Sequence, residues 1–391
     1  MSRVIDEHRQ YLRDRHRLDA FARAIHAVVR PGDRVVDLGS GTGVLGLLAC
    51  RAGARIVFAI EATGIIGLAS AVRDANGMHD RLTFVRGHST TVTLPERADV
   101  IVTDQIGRFG FEGGILECVA DARARLLEPD ARFVPAAITL HVAPVESGQM
   151  YERIEFWDLQ PAGLDFHSVR HLAANTVYPA RLRPEHLLGP PAATVRLDLA
   201  SATSERFSFD VTLPIARAGV LHGIGGWFSA ELAPGVTMTN SPLDAARIRR
   251  RQVLLPIERP VRVMQGDRVD VRVEVLPGQL MVAWEVRVTR SSGSDVFRHS
   301  TLRGMLFTRE DLEHTRPGFR PALTPRGLAR RSALELCDGT RTLAAIEDEV
   351  YRRHTDLFAS RHEAAVFVAE VVTRYARDAV RPDVDEERAL T

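Results

Sequence analysis

The chain contains no lysine: all 51 basic residues are arginine, against 50 acidic ones, for a formal charge of +1. That balance excludes the strongly basic field used to hold nucleic acid, and arginine-only usage points to GC-rich coding instead. Clusters such as Arg247, Arg249, Arg250 and Arg251 then read as solvated surface. Cysteine is scarce as well: Cys50, Cys118 and Cys337 are scattered and odd in number, which excludes a disulfide framework and a thiolate metal site. No metal is expected. No segment approaches the roughly 18 apolar residues of a membrane span, and the opening MSRVIDEHRQYLRDRHR is charged where a signal peptide needs an apolar stretch. The expectation is a cytoplasmic protein without membrane or nucleic-acid partners. What is present is ordinary: 45% hydrophobic and 26% charged residues over 391 positions, enough for two or three cores.

Periodicity divides the chain. Residues 8–30 carry Leu12, Leu18, Phe21, Ile25, Val28 and Val29 at helical spacing and stop at Pro31-Gly32. Apolar runs at 34–38, 56–61, 82–86 and 100–103 then alternate with helical segments, which predicts a parallel α/β sheet. From Ala137 the pattern becomes apolar/polar alternation bounded by Pro and Gly, which predicts an antiparallel β-domain, with 161–191 as a projecting arm or loop. RPGFRPALTPRG reads as a linker into a final helical block. The predicted domains are 1–136, 137–310 and 311–391.

The residues richest in chemistry are Val36-Asp37-Leu38-Gly39-Ser40-Gly41-Thr42-Gly43, where a strand should pass into a helix. Glycines there let the backbone turn tightly and approach a ligand. Gly41, Gly43 and Gly46 also fit the dinucleotide pattern G-x-G-x-x-G. Asp37 and Glu61 tilt the reading from a nicotinamide cofactor to S-adenosylmethionine: a carboxylate before the turn repels a pyrophosphate but suits the ammonium and sulfonium end. Glu61, ending the next apolar strand, stands where a carboxylate accepts from ribose hydroxyls.

With these residues in place, the chain resembles the protein arginine methyltransferase family over roughly residues 8–290, through HRQYLRDRHR, VVDLGSGTGVLGLLACRAGA, AIEA, ADVIVTDQIGRFGFEGGILE and Phe133-Val134-Pro135. The resemblance implies a Rossmann-like S-adenosylmethionine-binding domain, a substrate-carrying antiparallel β-barrel with a dimerisation arm, and a homodimer. It also implies that Arg17 clamps the cofactor carboxylate, that Asp37, Gly39 and Gly41 line the amino-acid end, and that Glu61 holds the ribose. Three departures stand out. The family's acceptor loop carries two glutamates; here the first falls on Asp104 and the second on Gly113, with Glu112 one place early. The T-H-W loop expected after Asn240-Ser241-Pro242 has neither histidine nor tryptophan, and Thr90 or Thr91 replaces the adenine-side glutamate. A guanidinium, with a pKa above about 12, needs carboxylates to fix its plane, so this loop reads as poorly built for arginine. Asp104 and Glu112 are the candidate catalytic residues, ahead of His222 and His8.

Farther on, Leu323-Thr324-Pro325-Arg326-Gly327 and the run from Leu334 to Ile346 around Cys337-Asp338-Gly339-Thr340-Arg341-Thr342 resemble PqqD-like RiPP recognition elements, small winged-helix modules. That resemblance implies a leader peptide bound by strand addition. Leu334, Leu336, Leu343 and Ile346 are its expected core. The combined expectation is a methyltransferase acting on a side chain of a peptide or protein, a ribosomal precursor peptide above all. The alternatives are an arginine N-methyltransferase with a rebuilt acceptor loop, or a silent scaffold.

Overall fold

The helical pattern at the start of the chain breaks once. Asp14 separates α1 (Arg3–Arg13) from α2 (Arg15–Val28) and caps α2 by accepting from the Arg17 N–H at 3.4 Å. Aspartate competes with the helical backbone for this N–H, so one expected helix is two. The computed structural model describes residues 3–203, 205–305 and 318–376. The chain divides into two compact units, Met1–Leu306 and Phe307–Thr391.

In the first unit, α2 buries Phe21, Ala24 and Ile25. Then follow β1 (Arg34–Leu38), α3 (Val44–Ala52), β2 (Ile56–Glu61), α4 (Ile66–Ala75), β3 (Leu82–Arg86), β4 (Ala98–Thr103), α5 (Ile115–Arg125) and β5 (Leu127–Val134). The strands form a parallel sheet in the order β3-β2-β1-β4-β5. Val35, Val36, Leu38, Val57, Ala59, Val100 and Val102 are fully buried, as expected of short apolar runs covered on both faces. Strand order reverses at β1, with Asp37 in register with Ala59 on one side and Val102 on the other. The loops after β1 and β4 diverge there, leaving the crevice in which such sheets bind ligands.

The antiparallel part contains β6 (Ala137–Val145), β7 (Tyr178–Ala180), β8 (Ala192–Asp198), β9 (Phe207–Pro214), β10 (Gly219–Ala233), β11 (Val236–Thr239), β12 (Gln252–Val263), β13 (Arg268–Leu276), β14 (Met281–Arg290) and β15 (Gly293–Ser300). These make two sheets, β7-β12-β10-β6-β8 with β11 on β10, and β15-β14-β13-β9. Where one continuous barrel was expected, no ladder joins the two sheets among the described residues. They share one apolar core instead, and Trp284 Nε1 donates to Pro256 O at 2.8 Å between them.

Between β6 and β7, α6 (Gly148–Glu155) and α7 (His167–Ala174) pack on Tyr151, Ile154, Ala173 and Ala174. The 161–191 stretch is therefore partly helical. Tyr151 anchors this arm, its hydroxyl donating to Ile257 O and Glu258 O. Phe156, Leu159 and Leu164 remain exposed at its tip.

The second unit contains α8 (Pro325–Leu336), α9 (Leu343–Arg353) and α10 (Arg361–Tyr375), capped by Thr324, Thr342 and Ser360. Pro325 thus starts a helix where a linker was expected. The core uses Ala329, Ala333, Leu336, Ile346, Val350, Phe367 and Val371. Leu334 and Leu343, expected inside, are exposed: Leu334 is one residue off the stripe set by Ala329, Ala333 and Leu336, and Leu343 begins α9. No strand occurs among the described residues of this unit, so the winged-helix sheet edge is not seen; 311–317 lie outside them. Among the described residues no helix is long and apolar enough to cross a membrane, and no group of residues is suited to a metal.

Candidate active site

The site grows from the β1 turn. Gly39, Gly41 and Gly43 adopt φ of +68°, +54° and +77°, left-handed conformations that side chains with a Cβ resist. Space reinforces that demand: a Cβ on Gly39 would stand 2.5 Å from Gln105 Nε2, and one on Gly41 2.7 Å from His8 Cε1. Glu61 shapes the turn from β2, its carboxylate accepting from Gly41 N at 2.9 Å and Thr63 N at 2.8 Å. Asp37 accepts from Gly46 N at 2.9 Å through Oδ2. Burial pushes its carboxyl up to about 7.

The second wall is the end of β4. Thr103 Oγ1 donates to Leu38 O at 3.0 Å, tying β4 to β1. Asp104 follows, and its Oδ2 accepts from Arg17 Nε at 2.5 Å and from Arg250 Nη2 at 2.8 Å. Burial pushes this carboxyl up, but Arg250 and Arg17 outweigh it, so its pKa ends below the usual carboxylate range. Arg17 is held between the rings of Tyr11 and Phe21, 5.5 Å from each centroid.

Glu112 sits differently from its expectation as a catalytic group. Its carboxylate accepts from the backbone N–H groups of Arg108, Phe109 and Phe111. Gly107 and Gly110, with φ of +81° and +110°, curl the loop so that these donors converge on it. Glu112 therefore orders the loop, and Asp104 is the carboxylate within reach of a guanidinium. His8 lies over the glycine turn, whereas His222 is a buried sheet residue whose Nδ1 accepts from Ser147 N. The Thr90 and Thr91 hydroxyls both bond locally to His88.

Two contributors were not anticipated. Arg250, read as solvated surface, has a side chain only 13% exposed. Asn240, fully buried, donates to Arg108 O and Arg251 O and accepts from Phe228 N, stitching the β4 loop to the segment before β12. Asp14 adds a second tie by accepting from Arg249 N at 2.6 Å.

Among the described residues, eight buried side-chain nitrogen or oxygen atoms lack a partner. Five of them cluster here: Arg17 Nη1, Asp37 Oδ1, Ser40 Oγ, Asp104 Oδ1 and Gln105 Oε1. Buried polar atoms are ordinarily satisfied, so the concentration marks a ligand site. One donor on a cation and two acceptors on carboxylates suit a group carrying both a carboxylate and an ammonium, as the amino-acid end of S-adenosylmethionine does.

The comparisons agree with this chemistry. A family model described as the arginine methyltransferase oligomerization subdomain matches residues 136–284, and one described as ribosomal protein L11 methyltransferase matches 21–134. Neither reaches the C-terminal unit. An arginine N(omega)-methyltransferase of Streptomyces achromogenes subsp. streptozoticus is 30% identical over 274 residues, covering 68% of this chain and 75% of the relative. Protein arginine N-methyltransferase 1 of Chlamydomonas reinhardtii is 27% identical over 279 residues, covering 69% and 80%. Among solved structures, the Trypanosoma brucei PRMT1 enzyme–prozyme heterotetrameric complex with AdoHcy matches with a TM-score of 0.67 at 24% identity, over 75% of this chain and 97% of that one. Arabidopsis thaliana protein arginine methyltransferase 10 matches with a TM-score of 0.63 at 23% identity, with the same coverage.

Proposed function

The chain belongs to the arginine methyltransferase family and is an S-adenosylmethionine-dependent methyltransferase, and from that premise we propose that its acceptor is the guanidinium of an arginine in a peptide or protein. One observation carries this reading: Asp104, next to the cofactor turn, already binds a guanidinium, that of Arg250. A single ionised carboxylate at that place supports arginine as the acceptor even without the second glutamate. The precursor-peptide reading, with a leader held on the C-terminal unit, rests on the resemblance of Leu323–Gly327 and of the run from Leu334 to Ile346. No strand among the described residues there offers an edge for strand addition, so the acceptor class takes its place.

The residues divide the work. Arg17 Nη1, free and buried, would take the cofactor carboxylate, while Asp37 Oδ1 would face the ammonium. Gly39 and Gly41 leave room for backbone approach, and Glu61 keeps lone pairs for the ribose hydroxyls. Bound there, S-adenosylmethionine supplies a sulfonium methyl group, an electrophile with a good leaving group. Asp104, ionised beside the turn, is the carboxylate that would accept an acceptor N–H, fix the guanidinium plane and receive the proton that methylation makes labile.

Incubating the protein with labelled S-adenosylmethionine and arginine-containing peptides tests the acceptor class. Label should enter arginine peptides and not their citrulline counterparts, which keep the shape but lose the charge. Equal labelling of both, or labelling confined to other residues, refutes it. The arm supports a homodimer as the assembly: Phe156, Leu159 and Leu164 expose apolar surface at its tip. Sedimentation should return twice the 43.2 kDa chain mass; a monomer at micromolar concentration counts against it.

A further inference from the structure

Of the two guanidinium groups on Asp104, that of Arg250 also reaches the loop after β4. Arg250 Nη2 donates to Asp104 Oδ2 at 2.8 Å, and Nη1 donates to Gly107 O at 3.3 Å. Its Cζ lies 6.0 Å from the Phe228 ring centroid. A carboxylate, a backbone carbonyl of the acceptor loop and an aromatic face together make a guanidinium subsite. We propose that Arg250 is a resident pseudosubstrate, occupying the subsite of the acceptor arginine, and that substrate enters by displacing it. The inference rests on the guanidinium reading of the acceptor.

Arg250 is lightly held. A guanidinium has five N–H donors, and only two hydrogen bonds engage these, one of them long. Its departure does not strand Asp104, which keeps Arg17 at 2.5 Å. The backbone on either side is fixed, Arg249 N on Asp14 and Arg251 O on Asn240, so release is a side-chain rotation. The Arg249 and Arg251 side chains are exposed, which shows that solvent lies within reach of this segment. An incoming arginine rebuilds the bonds that Arg250 gives up, so the exchange is balanced in contacts. Effective concentration then decides it, and a tethered group competes at roughly millimolar strength. The apparent affinity for acceptor falls by the fraction of time the subsite is closed.

The test uses the full-length protein loaded with S-adenosylhomocysteine, titrated with N-acetylarginine methylamide in wild type, Arg250→Ala and Arg250→Gln. Both variants should bind the probe about tenfold more tightly than wild type, and with an arginine peptide their kcat/KM should rise through a lower KM. Two variants guard against one failing to fold, which a thermal melt reports. Probe affinity unchanged or weaker in both, or a fall in kcat/KM, overturns the proposal and makes Arg250 a positioning residue for Asp104. Tighter probe binding without methylation of any arginine peptide upholds the pseudosubstrate and refutes the acceptor reading, so the two failures are distinguishable.

Discussion

Asp104→Asn is expected to lower kcat by about a thousandfold and folding stability by about 3 kcal/mol. The side chains of Arg17 and Arg250 are only 8% and 13% exposed, and both end on one Asp104 oxygen. An amide of the same shape leaves two nearly buried guanidinium groups facing a neutral partner, and breaking one side of a buried pair is far more damaging than removing both. The double variant Asp104→Asn/Arg250→Ala separates the two effects. It should recover part of the lost stability, since one stranded charge is gone, and none of the activity. Thermal unfolding of the four proteins of this cycle, with methyl-transfer rates, checks the prediction. Activity within tenfold of wild type in Asp104→Asn would remove Asp104 from the chemistry.

Asp37→Asn should stabilise the cofactor-free protein while weakening its hold on S-adenosylmethionine. Burial raises the Asp37 carboxyl from 3.8 to about 7. An acid with a raised folded-state pKa binds protons more tightly in the native state, so stability falls as pH rises between the two values. The destabilisation is absent below about pH 4 and complete above about pH 7, where it amounts to about 4 kcal/mol. Asparagine keeps an acceptor for the Gly46 N–H and carries no charge to desolvate. At pH 8 the variant should therefore melt higher than wild type, with the difference vanishing by about pH 4. Cofactor affinity should drop about tenfold or more, because the charge facing the ammonium is lost. Wild-type affinity should rise with pH from about 6 to 8 as the cofactor's positive end favours ionised Asp37, while that of the variant stays flat. A variant that is less stable at pH 8, or that binds the cofactor equally well, contradicts this role.

The glycine turn, Asp37 and Glu61 were legible because local backbone demands write themselves into adjacent residues: only glycine suits three left-handed positions in five, and a carboxylate at a strand end has few purposes. Alternation likewise marked the antiparallel strands. What escaped lies in tertiary encounter. Arg250 sits in a run of arginines that looks like solvated surface, and nothing near it in sequence announces Asp104, 146 positions away. Glu112 was visible as a carboxylate, but its direction depends on the φ of Gly107 and Gly110, which a sequence does not state. The missing second glutamate was legible as a departure, whereas the pairing of Asp104 with Arg250 was not. In the C-terminal unit, the helical phase that exposes Leu334 was not readable.

Calorimetric titration with S-adenosylhomocysteine, comparing wild type with Glu61→Ala, tests most directly that the end of the parallel sheet is the cofactor site. One saturable site per chain is expected in wild type, with affinity reduced about tenfold or more in the variant, the loss expected for a charge-assisted hydrogen bond together with the Gly41 contact that shapes the turn. No heat at millimolar ligand, or equal affinity in the two proteins, would contradict the assignment.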